Sequence, residues 1–281
     1  MHYRRAATAL AGLLAVCAVL PVAWGQTPKA RPASAPAACD RANFQLVVDV
    51  GHTLNGGARS ARGVAEYDYN LRQATEITQA LTERGFTKTT LLITEEKTRK
   101  GLFQRSERAN KLNADLFLSI HHDSVPNKFI EKWEFEGESH GFSDRFKGHS
   151  IFISNDNPER GGSLLFGQLL GLAMKARGLQ YTPHYTEPFM GNRRRQLVDA
   201  AAGVYRFDHL VVLRTTRMPA VLLEAGSIIN RDEELALGDP ERRAHITQAV
   251  VDAVDGFCAQ QPRRNETVSA ARRAKPKTQK R

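Results

Sequence analysis

The chain is poor in cysteine: three in 281 residues. That excludes a fold stapled by several disulfides. Cys17 falls in a leader-like start, which leaves Cys39 and Cys258 flanking the central region. A single bridge between them and a pair of free thiols are both open readings in an oxidising compartment. No internal repeat is visible, so a stacked array is excluded. No HExxH spacing occurs, so a metal site would have to be assembled from distant parts of the chain. Nor is there a charge excess where a nucleic-acid surface would need one. The formal net charge is +10, but residues 262–281 carry +7 and residues 1–31 carry +4, which leaves −1 for residues 32–261. The central region is close to neutral, and nucleic acid is excluded as its partner.

What is present divides the chain into four parts. Arg4 and Arg5 precede an apolar run from Ala6 to Val19, and Ala23-Trp24-Gly25 is a small-x-small site. The run is short for a membrane span. Residues 1–25 therefore read as a signal peptide, and the protein is expected to be exported to the periplasm or cell envelope. Residues 26–42 form a linker rich in Pro and Ala. A single domain is expected over 43–261. Residues 262–281 read as a basic disordered tail, too poor in apolar residues to order itself. The tail either solubilises the chain or touches an anionic membrane or wall polymer.

From Phe44 onward strands and helices alternate. "FQLVVDV", "TLLITE", "DLFLSI", "HSIFIS", "HLVVLR" and "PAVLLE" are apolar runs of strand length. Between them, Tyr69 to Phe86 has Leu71, Ala74, Ile77 and Leu81 on one helical face, closed by Gly85. Leu102, Arg105, Ala109 and Leu112 mark a second helix whose stripe an arginine interrupts, and Leu165, Leu169 and Leu172 mark a third. Asp239-Pro240-Glu241 opens a last helix with Ile246, Val250, Val254 and Phe257 inside. This order predicts an α/β fold: one mostly parallel twisted sheet with helices on both faces. The segment 126–148, with Trp133, Phe135, Phe142 and Phe146, is the least regular. Its aromatics either pack as a satellite core or line a groove.

Sheets of this kind bind ligands beyond the carboxyl ends of their strands. Three strands end in suitable residues: Gly51-His52, His121-His122-Asp123 and Glu224-Ala225-Gly226. Glu66 opens the first helix after a Gly-rich crossover. Two imidazoles and a carboxylate make an open zinc site, and a further carboxylate can relay the proton of an activated water. His52, Glu66, one of the paired histidines and Glu224 fill these roles. Taken singly, each has a structural reading: a hydrogen-bonded histidine, a helix-start acid, or a Glu224 ion pair with Arg217 or Arg231. Residue parity on a strand argues that His121 and His122 do not both reach one ion.

The pieces "VVDVGHT", "GVAEYDYNL", "LFLSIHHDS" and "MPAVLLEAGSIIN" resemble the zinc-dependent N-acetylmuramoyl-L-alanine amidases of the amidase type 3 family. The resemblance runs from about Phe44 to Cys258. It implies one Zn2+ per chain on His52, Glu66 and His121, with Glu224 catalytic. It implies peptidoglycan as the substrate, cut between N-acetylmuramic acid and L-alanine of the stem peptide. The readings set against it are a zinc peptidase acting within the stem peptide and a non-catalytic wall-binding protein. Asp49, His122, Asp123 and Arg217 are candidates for supporting roles. Asp49 or Asp123 would orient a ligand histidine, and Arg217, or Arg193 to Arg195, would hold a substrate carboxylate. Segment 126–148 does not look like the occluding helix of the division amidases, and the need for an activator protein stays open.

Overall fold

The structure, a computed structural model, describes residues 39–260. The expected signal peptide, most of the linker and the basic tail lie outside those residues. Strand β1 (Leu46–Val50) is buried along its whole length, as its unbroken apolar run requires. Helix α1 (Glu66–Glu83) follows the crossover, and Gly85, at φ 102°, ends the turn beyond it. Then come β2 (Thr89–Leu92), α2 (Arg99–Leu112) and β3 (Leu116–Asp123). A hairpin of β4 (Glu131–Phe135) and β5 (Glu138–Phe142) precedes β6 (Ser150–Ile153) and α3 (Arg160–Ala176). The chain continues through β7 (Gln196–Asp199), β8 (Val204–Arg206), α4 (Val211–Arg214), β9 (Ala220–Ser227), α5 (Arg231–Gly238) and α6 (Pro240–Gln260).

Seven strands form one sheet in the order β2-β1-β3-β9-β6-β8-β7. β1 pairs in parallel with β2 and β3, β3 with β9, and β6 with β8. The β6–β9 and β7–β8 pairs are antiparallel. The fold is therefore the expected α/β sheet, mostly parallel, with apolar clusters on both faces. One cluster joins Val48, Val50, Leu118 and Ile120 to Ile77, Phe166, Val254 and Phe257. The other joins Val47, Phe117 and Leu222 to Ala109, Val212 and Leu213. Cys39 and Cys258 are joined by a disulfide, which fixes the lead-in to α6.

Three details of the expected pattern are corrected. "HLVVLR" is not a strand: Val211–Arg214 makes one helical turn, α4, with Val211 to Leu213 buried. Both sides of β9 are already taken, by β3 and β6, so the run has no place beside it. A short apolar run meets its burial equally well as helix or strand. In α2, Arg105 and Ala109 are buried, whereas Leu102 and Leu112 are exposed. In α3 the inner face is Ser163, Phe166, Gly167, Leu170, Gly171 and Met174, and Leu172 faces solvent.

Segment 126–148 forms a short 3-10 turn and the β4–β5 hairpin. Phe146 joins Val125 and Ile229 in a small satellite core, with Phe129 and Phe189 against it. Trp133 instead donates its indole N–H to the Ala61 carbonyl at 2.7 Å, and Arg62 and Arg231 lie over its ring. Packing, rather than an open aromatic groove, accounts for these side chains.

Candidate metal centre and active site

His52, Glu66 and His121 meet at the carboxyl edge of the sheet. One ligand atom from each lies within 4.8 Å of the others. His52 Nε2 is 3.0 Å from Glu66 Oε2, and His121 Nδ1 is 3.0 Å from Glu66 Oε1. His52 follows β1 in a left-handed conformation, φ 63°, which is uncommon for a residue with a side chain. Glu66 is the first residue of α1 and is buried. Its Oε2 also accepts the Ala58 N–H at 3.0 Å. Burial alone would raise the Glu66 carboxyl, but His121 and His52 outweigh it and hold the group well below the usual carboxylate range.

Two glycines make this approach feasible. A Cβ on Gly51 would sit 2.5 Å from His121 Nε2, and one on Gly57 would sit 2.6 Å from Glu66 Oε2. The cluster is thus two imidazoles and one carboxylate in a cradle that side chains would fill. That donor set suits a divalent cation of zinc type with an open coordination position.

Parity separates the paired histidines. Leu118 and Ile120 pack toward α1, and His122 follows them: its Nδ1 is 2.8 Å from Asn70 Oδ1, and its ring lies against Tyr69. Burial lowers the His122 pKa to about 3, so the ring is neutral. His121 points the other way and stands in register with Glu224 on β9. Neighbours in register share a face of the sheet, so Glu224 lies beside the cluster. Glu224 is partly exposed, yet Oε2 is enclosed and has no hydrogen-bond partner among the described residues. The structural alternative for Glu224 fails, since Arg231 pairs with Asp144 instead. Burial first, then the charges on Asp123 and Glu66, raise the Glu224 carboxyl well above its usual range, and Arg193 opposes them.

The supporting roles need correction. Neither Asp49 nor Asp123 bonds a histidine of the cluster. Asp49 is fully buried and accepts from Arg105 Nη1 at 2.8 Å and Ser119 Oγ at 2.7 Å. Asp123 accepts from the Tyr185 hydroxyl at 2.7 Å, and burial raises its carboxyl. Arg217 is exposed and precedes β9 at its amino end, whereas Glu224 lies near the carboxyl end. The four strand steps from Ala220 to Glu224 span roughly 13 Å, and Arg217 lies beyond the amino end of the strand, where its backbone N–H donates to Asn110 Oδ1 at 2.8 Å. Arg193, exposed at the end of the 3-10 turn Pro188–Arg193 before β7, is the arginine whose charge acts on Glu224 and Asp123.

Sequence reasoning missed Asn70. Its amide donates to Glu66 Oε1 and to the Gly51 carbonyl, both at 3.2 Å. The four-residue spacing from Glu66 on α1 was the available signal. It also missed the Tyr185 hydroxyl, for which no local pattern exists.

Known proteins resemble this chain in sequence or in fold. The probable cell wall amidase LytH of Staphylococcus aureus is 25% identical over 214 residues, covering 74% of this chain and 56% of that protein. The chain therefore spans little more than half the length of that relative. The crystal structure of the amidase Ami1 from Mycobacterium smegmatis superposes with a TM-score of 0.60 at 18% identity, covering 79% of this chain and 99% of that one. The amidase CwlD from Clostridioides difficile, solved in complex with the GerS lipoprotein, gives a TM-score of 0.52 at 19% identity, covering 78% and 100%. At such identities these structures speak for the fold alone. The family model described as N-acetylmuramoyl-L-alanine amidase matches residues 46–256, so the three residues of the cluster and Glu224 on β9 all lie within the match, and the chain belongs to that family.

Proposed function

We propose that this protein hydrolyses the amide bond between N-acetylmuramic acid and L-alanine of the peptidoglycan stem peptide, with a zinc ion held by His52, Glu66 and His121. The observation that carries the reading is the meeting of these three side chains within 4.8 Å, beside a Glu224 whose Oε2 has no partner among the described residues. A zinc ion bound there supplies Lewis acidity toward water and toward the amide carbonyl. Glu224 Oε2 takes a proton from the attacking water and delivers it to the leaving nitrogen of L-alanine. Asn70 fixes the Glu66 carboxylate through Oε1, and the Ala58 N–H fixes it through Oε2.

Peptidoglycan lies in the cell envelope, and the signal peptide read over residues 1–25 supports export to it. Purified protein incubated with sacculi, with and without a zinc chelator, tests the proposal. Mass spectrometry should find glycan free of peptide and peptides beginning with L-alanine, and the chelator should abolish both. Cuts within the stem peptide would assign a peptidase, and binding without products a wall-binding protein. The complex of CwlD with a lipoprotein motivates a parallel incubation with envelope extract, in which a gain in rate would reveal an activator.

A further inference from the structure

Three consecutive carbonyls at the end of β1 are held from two sides. The Gly51 carbonyl accepts the Asn70 amide at 3.2 Å, from α1. The Val50 and His52 carbonyls both accept from the Arg105 guanidinium of α2, Val50 from Nη1 and His52 from Nη2. Nη1 also donates to Asp49 Oδ1 at 2.8 Å, and Asp49 is held in turn by Ser119 Oγ. Arg105 is 3% exposed and sits on the buried face of α2 with Gly101, Ser106 and Ala109. A guanidinium in such a place is costly unless its donors are used, and here they are spent on the backbone that carries His52.

The position it braces is one that needs bracing. His52 is held in a left-handed conformation, and its side chain is 38% exposed, against 6% for Glu66 and 16% for His121. Packing therefore does least to orient the His52 imidazole. We propose that Arg105 is a positioning residue for the metal site, which locks the turn at Val50–His52 so that the His52 ring stays aimed at Glu66 and His121. The inference rests on the metal reading given above. It adds a residue from a different helix, outside the cluster, on which the affinity for zinc depends. A lysine cannot substitute, because a single ammonium lacks the planar fork that meets two carbonyls and a carboxylate at once.

The test compares zinc affinity, by competition with a chromogenic chelator, with the melting temperature of the zinc-free protein. In Arg105→Lys, zinc affinity should fall by about 10- to 100-fold, the range found when groups that orient metal ligands are removed. Asp49→Asn weakens the same ion pair but leaves the guanidinium on its two carbonyls. It should lower the melting temperature while keeping zinc affinity within about threefold of wild type, a smaller loss than for a removed orienting group. Should Arg105→Lys fail to fold, the double variant Asp49→Asn/Arg105→Gln removes both charges together and should show the same loss of zinc. Undiminished zinc binding in the folded Arg105 variants would overturn the inference while leaving the metal reading intact. Equal loss of zinc and of melting temperature in Arg105→Lys and Asp49→Asn would also overturn it, by assigning the effect to general destabilisation. Wild-type protein that binds no zinc would remove the metal reading, and this inference with it.

Discussion

Glu224 is the residue on which the proposed chemistry turns, and its environment makes a specific prediction. Its Oε2 is enclosed and unpartnered among the described residues, so a glutamine there keeps the shape and removes the proton carrier. Glu224→Gln should retain bound zinc and lose about 10²- to 10⁴-fold in amide hydrolysis, the usual share of general acid–base catalysis. Metal analysis alongside muropeptide release checks both halves; a variant that keeps full activity would remove Glu224 from the mechanism. The four residues from which the site was proposed were legible because each sits where local pattern meets topology: His52 after an apolar strand, His121 and Glu224 near the carboxyl ends of two others, and Glu66 at a helix start. Arg217 is close to Glu224 in sequence, but it precedes β9 and so lies beyond the amino end of the strand, away from the carboxyl edge that carries the cluster. Arg105 showed only as an interruption of a helical stripe. Its acceptors, the carbonyls of Val50 and His52, lie more than fifty residues away and leave no mark in the composition of α2.

At the scale of elements, the strands that carry the site follow directly from their uninterrupted apolar runs, while the faces of the helices are harder to read. Helix α3 presents Gly167 and Gly171 to the sheet, and a pattern search for large apolar side chains turns the helix toward Leu172 instead. The glycines are there because the backbone comes close. A Cβ at Gly171 would lie 1.9 Å from the Ala202 carbonyl oxygen, a backbone atom that cannot swing aside. Gly171→Ala should therefore destabilise the domain by about 1–3 kcal/mol, as overpacking does. Gly161, on the same helix, is exposed, and a methyl group placed on it would meet nothing within 4 Å. Gly161→Ala should be neutral or stabilise by about 0.4–1 kcal/mol, through the lower entropy of the unfolded chain. Urea unfolding of the two variants separates close packing from helix propensity; equal effects would refute the packing account. The β4–β5 hairpin escaped the sequence reading for a related reason. Its turn depends on Glu136 and Gly137 at φ 51° and 80°, and its aromatics are satisfied by cation contacts with Arg62 and Arg231 from elsewhere in the chain.

For the whole molecule, buried histidines outside the proposed site set the response to acid. His149 lies on the approach to β6, is 1% exposed, and has no hydrogen-bond partner on either ring nitrogen among the described residues. Burial, with a smaller contribution from the Arg242 charge, lowers its pKa to about 4. His184 is lowered to about 4 as well, by burial and then by Arg193. An imidazole in the unfolded chain takes its proton near the ordinary value of 6.5, whereas these rings stay neutral until about 4. Between those limits the unfolded chain binds more protons at these two positions, so the two rings subtract stability as the pH drops through that window. For His149 alone the loss amounts to up to about 3 kcal/mol across the window. The raised carboxyls of Asp123 and Glu224 act in the opposite sense, so the histidine share is read as the difference in melting temperature between wild type and a His149 variant from about pH 6.5 to pH 4, both zinc-free so that protonation of a bound metal site does not contribute. His149→Leu removes one titrating group while its main chain keeps the bonds to Gln180 and Thr182. That variant should show a shallower acid slope with stability at pH 7 unchanged or raised, since no side-chain hydrogen bond is lost. An acid slope identical to wild type would mean that the ring is not held neutral in the fold, and that its unpartnered nitrogens are reached by solvent after all.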